Sequence, residues 1–125
     1  MKRVRRDESG VAIVEFALVF PILITLVFGI VNFAQAYYVK SSLQAGAREG
    51  ARELALKHTA GVVDAAVRAA APSVAIDTVT VGTACPAAGD AKATVTATDA
   101  FTFSIPFLSL GTISLSATAV MRCGL

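Results

Sequence analysis

An almost continuous apolar run from Val11 to Val31 constrains this chain more than any other feature. Its non-apolar residues are Glu15, Pro21, Thr25 and Gly29. As a helix rising ~1.5 Å per residue, a run of this length spans about 31 Å, which is the thickness of the hydrocarbon core of a bilayer. A core helix of a small soluble domain would show a polar face, which this run lacks. The run therefore predicts a transmembrane helix over residues 11–31.

The charges that flank this run predict its orientation. Four basic residues precede it, namely Lys2, Arg3, Arg5 and Arg6. Lysine and arginine set membrane topology far more than acidic residues do, so the N-terminus is expected in the cytoplasm. The excess of basic residues on the N-terminal side is modest, because Lys40, Arg48 and Arg52 follow the run. We expect a single-pass protein of the cytoplasmic (inner) membrane, with residues 32–125 as an extracytoplasmic domain.

A secretory signal peptide is the first alternative to a membrane anchor. Such signals have an apolar region of about 7–15 residues and end at small residues such as Ala-x-Ala. The apolar run here is longer, but Ala34 and Ala36 have the spacing of such a cleavage site. A small secreted domain therefore stays open as an interpretation of the sequence.

Two features distinguish the run from an ordinary anchor. Gly10 lies at the boundary between the charged leader and the run, and Glu15 is an acid within it. An ionisable side chain inside a membrane helix is costly and invites a functional explanation. The alternative is that Glu15 reaches the headgroup layer and has no function there. The segment Gly10-Val-Ala-Ile-Val-Glu15-Phe16, behind a basic leader, resembles the class III (type IV-like) prepilin signal.

This resemblance implies a specific processing event and a role for the glutamate. In that family a membrane-embedded aspartyl prepilin peptidase cuts after the glycine, so residues 1–10 would be a leader peptide, cleaved between Gly10 and Val11. Glu15 would become the fifth residue of the mature chain, followed by the aromatic Phe16. By attracting the Val11 ammonium of a neighbouring subunit, Glu15 would set the register of assembly.

The resemblance extends beyond the signal. Residues 8–56, and above all the segment from Ala47 to Arg52, resemble TadE-like pseudopilins of the tight-adherence (Tad/Flp) pilus, as does the pattern from Ile113 to Arg122. It implies a minor pseudopilin that supports assembly of a type IV-like pilus or a related secretion system. The implied partners are prepilin peptidase, other pilins or pseudopilins, the pilus assembly platform and membrane lipid. The alternative is an unprocessed, single-pass binding module.

The remaining chain predicts an α+β, pilin-like fold, with a long N-terminal helix that extends into a small ectodomain. A helical pattern covers residues 32–58 and a second one residues 59–71, with Thr59 as its cap and a stop at Pro72. An apolar stripe on the first helix contains Gly46 and Gly50. This spacing fits either packing against the protein's own sheet or a dimerisation face.

Alternation with a period of two predicts strands over residues 74–122 in an antiparallel sheet. Residues 100–121 lack charge but contain Pro106, Gly111 and many hydroxyl side chains, so a pair of strands fits better than a second membrane span. The apolar tip from Pro106 to Leu108 is expected either as a simple buried loop or as a contact for the membrane or a partner.

The two cysteines and the charge balance limit the available chemistry. Cys85 and Cys123 are 38 positions apart without a metal-binding spacing, which argues against zinc. In an oxidising compartment they would form a disulfide, and otherwise two free thiols. The acids are scattered and no phosphate-binding loop is present, so we expect no enzyme and no cofactor. A net charge of +2 without a basic stripe argues against nucleic acid as a partner.

Overall fold

The computed structural model describes residues 8–57, 59–85 and 91–123, and it has the predicted α+β architecture. The leader residues Lys2, Arg3, Arg5 and Arg6 lie outside the described residues. In chain order the elements are helix α1 (Glu8–Lys57), a short 3-10 turn (Ala60–Val62), helix α2 (Val63–Ala70) and strands β1 (Thr78–Val81), β2 (Lys92–Thr102) and β3 (Thr112–Arg122).

Helix α1 is a single helix of 50 residues, and at ~1.5 Å per residue it is about 75 Å long. It runs through Pro21, whose missing N–H removes one hydrogen bond of the helix. The Thr25 hydroxyl donates to the Pro21 carbonyl, with 2.8 Å between the oxygens. Among the described residues α1 is the one helix long and apolar enough to cross a membrane, with a mean hydropathy of 2.7 in its most apolar window. Its length and composition suit a single-pass membrane anchor.

The C-terminal half of α1 packs against the rest of the chain. One face of this half carries side chains that are buried against α2 and the sheet. The core is built mainly from small residues, which allow the elements to approach closely. Its members are Leu43, Ala47, Ala51, Leu54, Ala55, Val63, Val67, Ala71, Ile76, Cys85, Ala93, Val95, Ala97, Ala117 and Ala119.

The three strands form an antiparallel sheet in the order β1-β2-β3. Strands β2 and β3 pair along their whole length, from Lys92 opposite Arg122 to Thr102 opposite Thr112. From residue 93 to residue 98 of β2, the buried side chains of Ala93, Val95 and Ala97 alternate with half-buried threonines. Because successive side chains point to opposite faces, the threonines lie on the outer face, where the Thr96 and Thr118 hydroxyls are 2.9 Å apart.

Two details of the predicted elements are wrong. Sheet structure begins at Thr78 rather than near residue 74, because Val74 N–H donates to the Ala71 carbonyl in a turn and the first bond to β2 is Asp77 N–H to the Thr98 carbonyl. Thr59 occupies the position before the 3-10 turn, but its hydroxyl donates backwards to the Lys57 carbonyl instead of capping the turn. Helix α2 ends at Ala70, close to the predicted stop.

Candidate assembly and processing site

The peptide bond between Gly10 and Val11 lies in the first turns of α1, and both residues are exposed. A Cβ atom built on Gly10 would meet no atom within 4 Å. Intramolecular packing therefore does not require a glycine at this position.

Glu15 lies one helical turn after Val11, on the same face of α1. Its side chain is exposed, and within the described part of the chain no hydrogen bond or ion pair involves its carboxylate. The next residue, Phe16, has its ring 5.2 Å from the ring of Phe20. Glu15 is therefore the one carboxylate on an otherwise apolar, exposed surface of the described helix between residues 11 and 31. It lies one helical turn from Val11, the residue that would become the N-terminus after cleavage.

The glycines of the α1 stripe are in a different environment from Gly10. A Cβ on Gly50 would lie 2.5 Å from Val67 Cγ2 and 3.2 Å from both Val63 Cγ1 and Val95 Cγ1. A Cβ on Gly46 would lie 3.0 Å from the Val67 carbonyl oxygen. The stripe is thus used inside the chain, and no second copy can reach it. The glycines face α2, and Gly50 also faces Val95 of the sheet, so the expected packing against the protein's own sheet is joined by packing against α2.

Asn32 is a structural residue that the sequence reasoning missed. It is buried, and its Nδ2 donates to the carbonyl oxygens of Phe28 at 2.8 Å and Ser104 at 2.9 Å. Its Oδ1 accepts from Ser104 N–H at 2.9 Å. The amide therefore satisfies both backbone groups of Ser104, just after the predicted membrane segment ends. The available signal was an amide placed directly after a long apolar run.

The segment between β2 and β3, residues 103–111, is exposed at its tip. The Phe107 side chain is fully exposed, and Leu108 and Leu110 are about half-exposed. The simple buried loop expected as one alternative is therefore wrong for the tip. The Leu108 N–H donates to the Ile105 carbonyl at 3.2 Å, which closes a four-residue turn with Pro106 at its second position.

Cys85 and Cys123 form a disulfide, with 5.5 Å between their Cα atoms. Cys85 belongs to the core, and Cys123 packs against it. The bond connects the segment after β1 to the segment after β3. It therefore closes the end of the sheet that lies opposite the turn at Pro106.

The fold also brings together two acids that are distant in sequence. Burial, and secondarily the charge of Asp77, raise the pKa of Asp99 above its ordinary value, while a hydrogen bond from the Ala100 backbone lowers it. Asp77 Oδ2 itself accepts from Ala100 N–H at 3.0 Å. No third ligand-type side chain joins them, since the described residues contain no group of three or more that could hold a metal ion.

Comparison with known proteins gives one result for the N-terminal part of the chain. Residues 10–52 match a family model described as TadE-like protein. This match confirms the TadE-like resemblance inferred from the sequence over these residues. No curated protein and no solved structure matches the chain.

Proposed function

We propose that this TadE-like chain is a minor pseudopilin, processed by a prepilin peptidase and supporting assembly of a tight-adherence type IV-like pilus or a related secretion system. The observation that carries the proposal is the match of residues 10–52 to the TadE-like model, which begins at the glycine of the proposed cleavage site. The match covers the membrane half of α1 and most of the half that packs in the ectodomain.

Processing by the peptidase is supported by the surroundings of Gly10. Because no neighbouring atom in the described structure requires a glycine there, a requirement from outside the chain would explain the residue. A protease that approaches the backbone closely is such a requirement, since any side chain at this position would keep it at a distance. Cleavage would remove the leader and place the new ammonium group on Val11.

Glu15 would then act during assembly. An unpaired carboxylate in the membrane is costly, and an ammonium at the head of a neighbouring helix can offset that cost through a charge-assisted hydrogen bond. The apolar surface around Glu15 is complementary to another apolar helix but offers it no second polar contact. The pairing would therefore select one axial register between neighbouring subunits.

The mature chain would be close to neutral. The ten leader residues carry four basic and two acidic side chains, so their removal changes the net charge from +2 to about zero. The basicity of the chain then belongs to the topology signal and not to the assembled subunit. A mature chain without net charge limits charge repulsion between subunits packed side by side.

A pair of glycine variants in the native host tests processing. We expect Gly10→Leu to accumulate as the heavier, uncleaved precursor in an immunoblot of the membrane fraction. Gly29→Leu is the matched control, because its position in α1 is equally open and lies outside the signal. It should be processed like the unmodified chain. Identical mobility of the Gly10→Leu protein and the unmodified protein would contradict peptidase processing and favour the unprocessed binding module.

A second pair of variants tests the assembly role. Glu15→Gln keeps the shape of the side chain but removes its charge, so we expect a processed protein that is depleted in cross-linked complexes with pilins or pseudopilins. Glu49→Gln, in the part of α1 beyond the membrane, is the control. Assembly of Glu15→Gln at the level of the unmodified chain would exclude the proposed register contact while leaving processing intact.

A further inference from the structure

The hairpin of β2 and β3 descends along α1 towards the apolar run. Farther from the apolar run, the Lys40 ammonium donates to the Ser116 carbonyl. Directly after the run, Asn32 binds both backbone groups of Ser104. These two contacts are eight residues apart on α1, which corresponds to about 12 Å at ~1.5 Å per residue. The turn that follows Ser104 therefore lies near the middle of α1, where the predicted membrane segment (residues 11–31) ends.

The turn itself is apolar and uncharged. Residues 103–111 contain no acidic or basic side chain, and the exposed side chains of Phe107, Leu108 and Leu110 are concentrated in it. In a domain surrounded by water alone, such side chains are normally buried, or polar residues stand in their place. A membrane surface at this level would instead accommodate them, because Asn32, the residue after the apolar run, is hydrogen-bonded to Ser104 at the start of the turn.

The backbone of Phe107 adds an independent argument. Its φ angle is 68°, at the third position of the turn from Ile105 to Leu108. This conformation favours glycine or asparagine and is costly for a bulky aromatic residue. No burial inside the described chain offsets that cost, since the side chain is fully exposed. A ring held outward in a strained turn indicates a contact with something outside the chain.

We infer that the β2–β3 turn is a second membrane contact, which places Phe107 and Leu108 in the interfacial layer of the outer leaflet beside α1. Asn32 acts as the clamp that fixes the turn at this depth, because it holds both backbone groups of Ser104. The contact would limit rotation and tilt of the ectodomain relative to the bilayer. The inference rests on α1 as a membrane anchor and not on the pilus role.

Tryptophan fluorescence of the full-length chain tests the contact directly, because the sequence contains no tryptophan. The Phe107→Trp variant would be reconstituted in vesicles of phosphatidylcholine and phosphatidylglycerol, with and without phosphatidylcholine brominated on its acyl chains. Leu108→Trp provides a second reporter in the same turn. Phe28→Trp, in the apolar run, is the membrane control, and Leu56→Trp, at the other end of α1, is the aqueous control.

We expect blue-shifted emission from Phe107→Trp and Leu108→Trp, with bromolipid quenching close to that of Phe28→Trp, while Leu56→Trp stays unquenched. Water-like, unquenched emission from both turn reporters beside a quenched Phe28→Trp overturns the contact alone. Blue-shifted emission that bromolipid does not quench, with a blue shift that decreases when the protein is diluted with lipid, also overturns the membrane contact. That result would indicate that the turn contacts a neighbouring copy of the protein. Absence of quenching at Phe28→Trp overturns the membrane anchor and the turn contact together.

Discussion

The two halves of α1 use similar small residues for opposite purposes. In the apolar run, residues 11–31, the side chains are exposed and the surroundings of Gly29 are open, as are those of Gly10 just before it. In the ectodomain half, Gly46 and Gly50 are in close contact with the valines of α2. The first half is therefore available to lipid, a peptidase and other subunits, whereas the second is used by the fold itself. A glycine in a helix can therefore lie against another element of the fold, as Gly50 does, or face open space, as Gly29 does.

The largest effect should come from breaking the disulfide, which belongs to the ectodomain alone. Replacing both Cys85 and Cys123 with alanine removes a cross-link between residues 38 positions apart, worth about 4 kcal/mol in the chain-entropy description. Urea unfolding in detergent micelles, followed by far-ultraviolet circular dichroism, would measure the loss. We expect the sheet signal to disappear at lower urea while the helix signal of the apolar run persists. Simultaneous loss of both signals would contradict the independence of the two halves.

A pair of alanine substitutions compares the glycines of the two halves. Gly50→Ala places a Cβ 2.5 Å from Val67 Cγ2, so the Val67 side chain or helix α2 must shift, at a cost of about 1–3 kcal/mol in the free energy of unfolding. Gly29→Ala meets open space and should leave the unfolding midpoint of the ectodomain unchanged. The same urea titration measures both. Equal midpoints for the two variants would show that the close contact of α1 with α2 has little energetic weight.

The junction between the halves depends on Asn32. Asn32→Leu leaves the Ser104 N–H and carbonyl without their partner, which costs about 1–3 kcal/mol for each group that stays buried. We expect faster hydrogen exchange at the Ser104 amide, with little change at the centre of β2. Gln35→Leu, on the exposed side of the same helix turn, is the control. Unchanged exchange at Ser104 would argue against the clamp.

The smallest effect concerns Asp99, whose pKa is raised by burial and then by the charge of Asp77. A carboxyl with a raised pKa in the folded state favours folding below its unfolded pKa of ~3.9, and this contribution is lost as pH rises through the folded pKa. Asp99→Asn should therefore raise the melting temperature slightly at neutral pH, and the gain should shrink in acid. Asp64→Asn removes an ion pair with Arg68 and should give no gain. A pH-independent gain from Asp99→Asn would contradict the assignment.

Local sequence patterns predicted the helices and the sheet well. The uncharged run and the stripe that follows it predicted one long helix, and α1 ends at Lys57, next to the expected boundary. The alternation around Val95 and the break at Pro106–Gly111 predicted the pairing of β2 with β3. These features depend on periodicity and on residues with restricted backbone angles, which act over a few positions.

Features that depend on distant contacts were not predictable in the same way. Asn32 and Ser104 are 72 positions apart, and no local pattern relates them. The start of β1 depends on hydrogen bonds across to β2, so a suitable alternation at residues 74–76 was insufficient. The φ angle of Phe107 is positive, although phenylalanine prefers negative φ angles. Predictions from sequence rely on such residue preferences, so this conformation was not expected. The apolar composition of the tip was visible, but its exposure was not.

The N-terminal residue of the protein isolated from its native host decides whether a prepilin peptidase processes the chain. Intact-mass measurement together with N-terminal sequencing of the membrane-bound chain would identify it. We predict a chain that begins at Val11, one helical turn before Glu15. A chain that begins at Met1 would contradict processing and support the unprocessed anchor, and one that begins after Ala36 would contradict the membrane anchor itself.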